Sequence, residues 1–272
     1  MASTLSPQSN PGSVAEKPKK RAIRRMIVIV VSTYLGICLL LFFFQRSLLY
    51  HPTRVPKERQ STLRAFEVEG ATLQVSVRPR SFDEAVLYFG GNGEDVSASL
   101  DRFAHGFPRH AIYMVHYRGY GGSSGSPSQD ALFADGQAMF DQVHQEHEHV
   151  IVVGRSLGSG IAIHVASKKP VSRLILVTPY DSILNVAKGQ FPVFPVGLML
   201  HDKFESWREA PLVTAPTLVV IAELDEIIAP KRSQALMKHF SPGVAELVEL
   251  KGVGHNSIAT NPEYMRAVTK KD

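Results

Sequence analysis

The chain has one cysteine in 272 residues, Cys38. No internal disulfide can form, so the fold must rest on a core, and cysteine usage names no compartment. There is no internal repeat. No G-x-G-x-x-G follows the first strand-like run with an acidic partner about 20 residues on, which excludes a dinucleotide-binding reading. No A-x-A pattern follows the long apolar stretch near the N-terminus, so a cleaved signal peptide is disfavoured. No N-x-S/T acceptor with a permitted middle residue occurs, which leans toward a bacterial envelope over a secretory lumen.

Net charge is also absent where it would matter for a polyanion. The first 25 residues carry Lys17, Lys19, Lys20, Arg21, Arg24 and Arg25 against Glu16 alone. They account for the whole formal charge of +5, and the remaining residues cancel. The basicity therefore belongs to the tail, and no nucleic acid partner is expected.

Directly after this cluster stands Met26–Phe44, MIVIVVSTYLGICLLLFFF, with no charged residue. At about 1.5 Å per residue such a run can span a hydrocarbon core of about 30 Å. It is apolar on every face, unlike the helix of a soluble core. The expectation is a disordered basic cytoplasmic tail over 1–25, a transmembrane signal anchor over 26–44, a juxtamembrane linker over 45–60 and a single folded domain over 61–272. The basic flank keeps the N-terminus cytoplasmic and sends the C-terminal domain to the outer side, periplasm or secretory lumen.

Beyond residue 61, short apolar runs alternate with helical patterns. The runs are Leu73–Val77, Ala85–Phe89, Ala111–His116, His149–Val153, Arg173–Val177, Thr217–Ile221 and Ala245–Leu250. Most are nearly continuous in Val, Ile and Leu, as strands buried on both faces are. Amphipathic stretches at Gln129–His147 (with Ser128 as N-cap), Leu157–Lys168 and Lys231–Phe240 separate them. This alternation predicts an α/β fold, a mostly parallel sheet with helices on both faces. Ligands in such sheets bind beyond the C-terminal strand ends, so the residues after each run are the informative ones.

After His149–Val153 comes Gly154-Arg155-Ser156-Leu157-Gly158-Ser159-Gly160 and then a helix. This is G-x-S-x-G at a strand-to-helix turn, the setting of a nucleophile elbow. Gly154 and Gly158 let backbone pass close to the turn, and the Leu157 N–H at the helix start can donate to an oxyanion. A serine hydroxyl needs a base, and the base an orienting carboxylate, in the chain order Ser, acid, His. Asp225 follows the run Thr217–Ile221, with Glu223, Glu226 and Asp181 as rivals. His255 follows the last run in a glycine-flanked loop, Gly252-Val253-Gly254-His255-Asn256-Ser257. His144, His147 and His149 cluster at a helix end without a matched ligand set, which reads as a solvated terminus and not a metal site. His164 lies within the helix after the elbow and reads as a packed residue. After Ala85–Phe89 stand Gly90-Gly91-Asn92-Gly93-Glu94-Asp95, whose tight path suits a second oxyanion donor, the Asn92 N–H. No metal or cofactor is called for.

These stretches together resemble a known family. Tyr88-Phe89-Gly90-Gly91-Asn92-Gly93, Tyr117-Arg118-Gly119-Tyr120-Gly121-Gly122-Ser123-Ser124-Gly125-Ser126-Pro127, the elbow Gly154–Gly158 and Gly254-His255-Asn256 are similar to the single-pass, membrane-anchored branch of the α/β-hydrolase superfamily. That branch is related to the bud-emergence hydrolases of fungi, and the likeness covers roughly residues 45–265, including Pro211–Pro230. Gly90 stands where the family often has His, and Ala222 where it often has Gly. The resemblance implies cleavage of esters, thioesters or amides, with long-chain acyl substrates prominent among relatives. Between Val177 and Thr217 lies too little chain for a large lid domain, but Phe191–Leu200 is apolar enough to line an acyl site or to form a core helix. Two other readings stand beside this one. A prolyl-oligopeptidase-like peptidase shares the core, although such enzymes carry a large gating domain. A catalytically silent, membrane-tethered binding protein is the other, against which the joint presence of Ser156, Asp225 and His255 argues.

Overall fold

The computed structural model describes residues 16–270. The chain falls into two units that divide after Phe44, and Gln45–Asp272 forms the larger. Helix α1, Glu16–Leu49, holds the apolar run. Among the described residues it is the one helix long and apolar enough to cross a membrane. It starts ahead of the apolar run, so residues 16–25, given to a disordered tail by composition, are helical. Lys, Arg and Glu are good helix formers, and a long apolar helix supplies the costly nucleus from which such a flank propagates. Residues 1–15 of that tail lie outside the described residues.

The larger unit is built on a sheet of β1 Leu63–Val68, β2 Ala71–Arg78, β3 Glu84–Phe89, β4 Ala111–Val115, β5 His149–Arg155, β6 Arg173–Val177, β7 Thr217–Ala222 and β8 Ala245–Leu250. Their spatial order is β1-β2-β4-β3-β5-β6-β7-β8. β1 pairs antiparallel with β2, and β2 antiparallel with β4, while the pairs from β4 to β8 are all parallel. The helices are α2 Leu100–Gly106, α3 Gln129–Glu146, α4 Leu157–Ala166, α5 Ile183–Gln190, α6 Val196–Met199, α7 Ser206–Glu209, α8 Pro230–Met237 and α9 Pro262–Thr269.

The sheet is parallel because its strands are covered twice. Leu87, Val152, Leu174 and Val219 join one apolar cluster with Phe140, Ile161 and Val165 of α3 and α4. Val86, Val153, Ile175 and Val220 point to the other side, against Phe103 of α2 and Tyr264 and Val268 of α9. Truncating any of these to Ala removes packing on a face with no room to collapse, at about 2–5 kcal/mol for the larger side chains. Helix starts follow local chemistry. The Ser128 hydroxyl accepts from the Ala131 N–H at 3.3 Å, the Ser182 hydroxyl from Asn185 N–H at 3.0 Å, and the Asn261 side chain from Glu263 N–H at 2.7 Å.

Candidate active site

The strand β5 and helix α4 meet at Ser156, whose backbone has φ 49° and ψ −116°. A non-glycine residue at positive φ is strained and persists only where its surroundings over-determine it. Here they do. The Ser156 N–H donates to the Val177 carbonyl at 2.9 Å, which keeps it in line with β6. A Cβ on Gly154 would lie 2.6 Å from the Ala162 Cβ, and one on Gly158 would collide with the Phe89 carbonyl. Both glycines are thus demanded by close backbone approach.

His255 and Asp225 reach the same point from two loops. His255 Nε2 lies 3.0 Å from the Ser156 Oγ, and its Nδ1 lies 2.8 Å from Asp225 Oδ2. All three side chains are buried. Asp225 is itself held, since its Oδ1 accepts from the backbone N–H groups of Ile227 (3.0 Å) and Ile228 (2.6 Å). The chain Ser–His–Asp is the geometry of a hydroxyl beside a base that a carboxylate orients.

The rival acids are engaged elsewhere. Glu223 binds Lys251 and the Gly252 N–H at the surface. Glu226 accepts from the His255 backbone N–H at 3.2 Å. Asp181 is buried against Arg232, 3.2 Å away, and Asn185, 2.7 Å away. Of the histidine cluster, His149 is exposed and His144 half-buried, as a solvated helix end would be, but His147 is not. His147 is buried, with Nδ1 2.7 Å from the Phe82 carbonyl and Nε2 3.0 Å from the Tyr113 hydroxyl, because the ring closes the gap between β4 and the loop before β3. His164 stacks on Phe133 at 4.0 Å between centroids and pairs with Glu209 at 2.7 Å.

The loop Gly90–Glu94 passes beside the serine, such that a Cβ on Gly91 would lie 3.6 Å from that of Ser156. Its carbonyl at Gly90 accepts from the Gly158 N–H (3.1 Å) and from the Tyr117 hydroxyl (2.6 Å). The Glu94 carboxylate folds back over the loop. It accepts from the Gly91 N–H at 2.7 Å, the Tyr88 hydroxyl at 2.9 Å and Arg155 Nη1 at 2.9 Å. Arg155 in turn donates to the His255 carbonyl at 3.1 Å. One buried ion pair therefore ties the glycine loop, the elbow and the histidine loop together. Burial draws the Arg155 pKa down, but the adjacent Glu94 carboxylate outweighs it and leaves the group above its ordinary value.

Sequence reasoning missed this pair, since Glu94 and Arg155 lie in different motifs and nothing local links them. It also left the Tyr-Arg-Gly-Tyr-Gly run without a task. The run supports the same loop. Tyr117 holds the Gly90 carbonyl, the Tyr120 hydroxyl donates to Asn92 Oδ1 at 2.9 Å, and Arg118 grips Asp135 with two bonds of 2.7 Å. Gly121 (φ 60°) has the ring of His116 where a Cβ would be. Burial lowers the His116 pKa to about 4, against a smaller opposing effect of Asp95.

Comparison with known proteins agrees with this architecture. A family model described as alpha/beta hydrolase fold matches residues 84–199. An uncharacterized protein of Mycobacterium tuberculosis is 30% identical over 247 residues, covering 85% of this chain and 87% of that protein. The alpha/beta hydrolase domain-containing protein aho-3 of Caenorhabditis elegans is 29% identical over 197 residues, 70% of this chain and 58% of its own length. Among solved structures, the esterase Pf2001 of Pyrococcus furiosus superposes with a TM-score of 0.63 at 17% identity, over 80% of this chain and 94% of that one. The last is a likeness of fold.

Proposed function

The chain belongs to the alpha/beta hydrolase family, and we propose that within it this protein is a serine hydrolase that cleaves carboxylic ester or thioester bonds of acyl, lipid-like substrates. The observation that carries the reading is the continuous hydrogen-bond chain from Ser156 Oγ through His255 to Asp225.

In this reading His255 Nε2 accepts the Ser156 proton as Oγ bonds to the substrate carbonyl carbon. The carbonyl π pair moves to oxygen, and the amides of Leu157 and Asn92 receive the oxyanion. The first N–H groups of a helix lack intrahelical acceptors, which leaves Leu157 at the start of α4 suited to this. The Gly91 N–H is occupied by Glu94, so Asn92 supplies the next donor along the loop. The oxyanion collapses, the bond to the leaving alcohol or thiol breaks, and His255 returns the proton to it. Water, deprotonated by His255, then cleaves the acyl-enzyme. Asp225 keeps the imidazole Nδ1 protonated and stabilises its cationic form.

The apolar segment after α5 supports an acyl substrate. Phe191, Val193 and Leu198 are exposed, Leu198 by 88%, although nothing in water favours that placement. The same proposal sets α1 across a membrane as a signal anchor, with the N-terminus cytoplasmic and the catalytic domain on the outer side, as the basic flank favours.

The test is labelling of the detergent-solubilised chain with a fluorophosphonate, with Ser156→Ala as the control. Labelling that disappears in the variant is the expected result. A folded protein that does not label, or a variant that still does, overturns the assignment.

A further inference from the structure

The stretch that follows the apolar run is not a passive spacer. Gln45 begins it, and its side chain donates to the Met199 carbonyl at 3.1 Å and accepts from the His201 N–H at 2.7 Å. Arg46 Nε and the buried Tyr50 hydroxyl both bind Asp202, at 3.1 and 3.0 Å. The strand of chain then crosses to the glycine loop. The Leu49 carbonyl accepts from Asn92 Nδ2, and the His51 N–H donates to Asn92 Oδ1 at 2.9 Å. Asn92 is thus gripped at both ends of its amide by backbone. The Thr53 hydroxyl donates to the Glu94 carbonyl at 3.1 Å, and the Thr53 carbonyl accepts from the Gly121 N–H at 2.8 Å.

From this geometry we propose that Gln45–Thr53 is a strap that positions the oxyanion loop, and that Asn92 and Thr53 are its positioning contacts. The proposal deepens the serine-hydrolase reading and rests on it. The loop Gly90–Glu94 contains two glycines on either side of Asn92 and one more at its start, so its own backbone does little to fix the direction of the Asn92 N–H. A side-chain amide bonded to two backbone groups two residues apart fixes both the position and the rotation of Asn92. The strap is the covalent continuation of the apolar run, and its other end holds the segment Met199–Asp202 that follows the exposed apolar residues. Turnover at Ser156 then depends on a segment that no triad motif contains. Displacing a reacting group by about 1 Å can cost about 10²-fold in rate.

The experiment uses the full chain in detergent. Asn92→Ala removes the side-chain grip and keeps the N–H, and Thr53→Val removes the hydroxyl with little change of shape. Each is compared with the unaltered chain for kcat and KM on a short acyl ester, and for inhibition by a trifluoromethyl ketone, which forms a tetrahedral adduct on serine. The expected result is a fall in kcat of about ten- to hundredfold for Asn92→Ala and a smaller one for Thr53→Val, with KM within about twofold. Ketone affinity falls in proportion to kcat, and hydrogen exchange rises at residues 90–95 but not at 156–166. A merely structural contact would not link ketone affinity to kcat. Unchanged kcat, ketone affinity and exchange in folded variants overturns the strap and leaves the hydrolase reading standing. An unaltered chain with neither turnover nor serine labelling overturns the hydrolase reading, while exchange at 90–95 still reports whether the strap holds the loop.

Discussion

The elbow Gly154–Gly160 and the loop Gly90–Glu94 face each other across Ser156, and they are fixed by opposite means. The elbow is held by steric fit. Glycines at 154 and 158 meet backbone or Cβ atoms, and a further close approach sets Gly160 against the Tyr180 hydroxyl. The glycines that meet these limits lie within a few residues of one another, so a short pattern can carry them, although the atoms they admit include the Phe89 carbonyl and the Tyr180 hydroxyl. The loop is held by polar groups that arrive from the strap, both backbone and the Thr53 hydroxyl, and by side chains from the segment after β4, from β3 and from Arg155. Its local contacts are the bonds between Glu94 and Gly91, and the rest of its path is set from a distance. A serine site can thus have one half that is cast by its own sequence and another that is assembled by distant partners.

The sharpest way to break this comparison is at the elbow itself. Ser156→Ala is expected to lower kcat by about 10⁶-fold, as removal of a triad nucleophile does, with ester turnover as the measurement. The loop is tested next by Glu94→Gln, which leaves the Arg155 guanidinium buried without its counter-charge. The expected loss is about 3–5 kcal/mol in denaturant unfolding, together with reduced kcat. A variant as stable as the parent would show that the ion pair does not hold the loop.

Protonation offers a graded test. The His116 ring lies beneath the Tyr-Arg-Gly-Tyr-Gly run that supports the loop, and burial lowers its pKa from 6.5 to about 4. The unfolded chain takes up a proton near pH 6.5 that the folded chain resists, so stability is fully present above that pH and falls as pH drops toward 4. The integrated loss is at most about 3 kcal/mol. Unfolding curves across this window should flatten in His116→Gln, and hydrogen exchange should rise at 90–95 before it rises at 156–160.

The two smallest effects probe the seam where the halves meet, one from each side. Gly158→Ala forces a methyl group onto the Phe89 carbonyl and is expected to cost about 1–3 kcal/mol. Tyr117→Phe removes a single buried bond to the Gly90 carbonyl and should cost about 1 kcal/mol. If thermal unfolding ranks these two the other way, the distinction between a cast half and an assembled half fails.

The same distinction explains what the sequence alone could deliver. The strand Arg173–Val177 was readable to the residue, because a run buried on both faces is continuous and ends abruptly, and Ala245–Leu250 was read to the residue although it is an edge strand with Glu246 and Glu249 exposed. β1, Leu63–Val68, escaped, since Arg64 and Glu67 interrupt it and it is an edge strand buried only in part. Helix α2 is too short for a period to declare itself. Ser156, Asp225 and His255, which the fold brings within hydrogen-bond reach of one another, could be singled out because each follows a strand end in a fixed chain order. The companions Glu94, Arg155, Tyr117 and Tyr120 were not, since a contact between residues far apart in sequence leaves no spacing to read.

The strap carries one more consequence, for how this protein can vary. Three of its contacts use backbone, the Leu49 and Thr53 carbonyls and the His51 N–H, which any residue other than proline at 51 provides. Side chains at exposed positions such as His51 and Arg54 are then free to drift among descendants. Chain length is not, since one residue added between Arg46 and Thr53 would put Asp202 and Asn92 out of reach of their partners together. What is inherited there is a distance as much as the letters at 45, 46, 50 and 53.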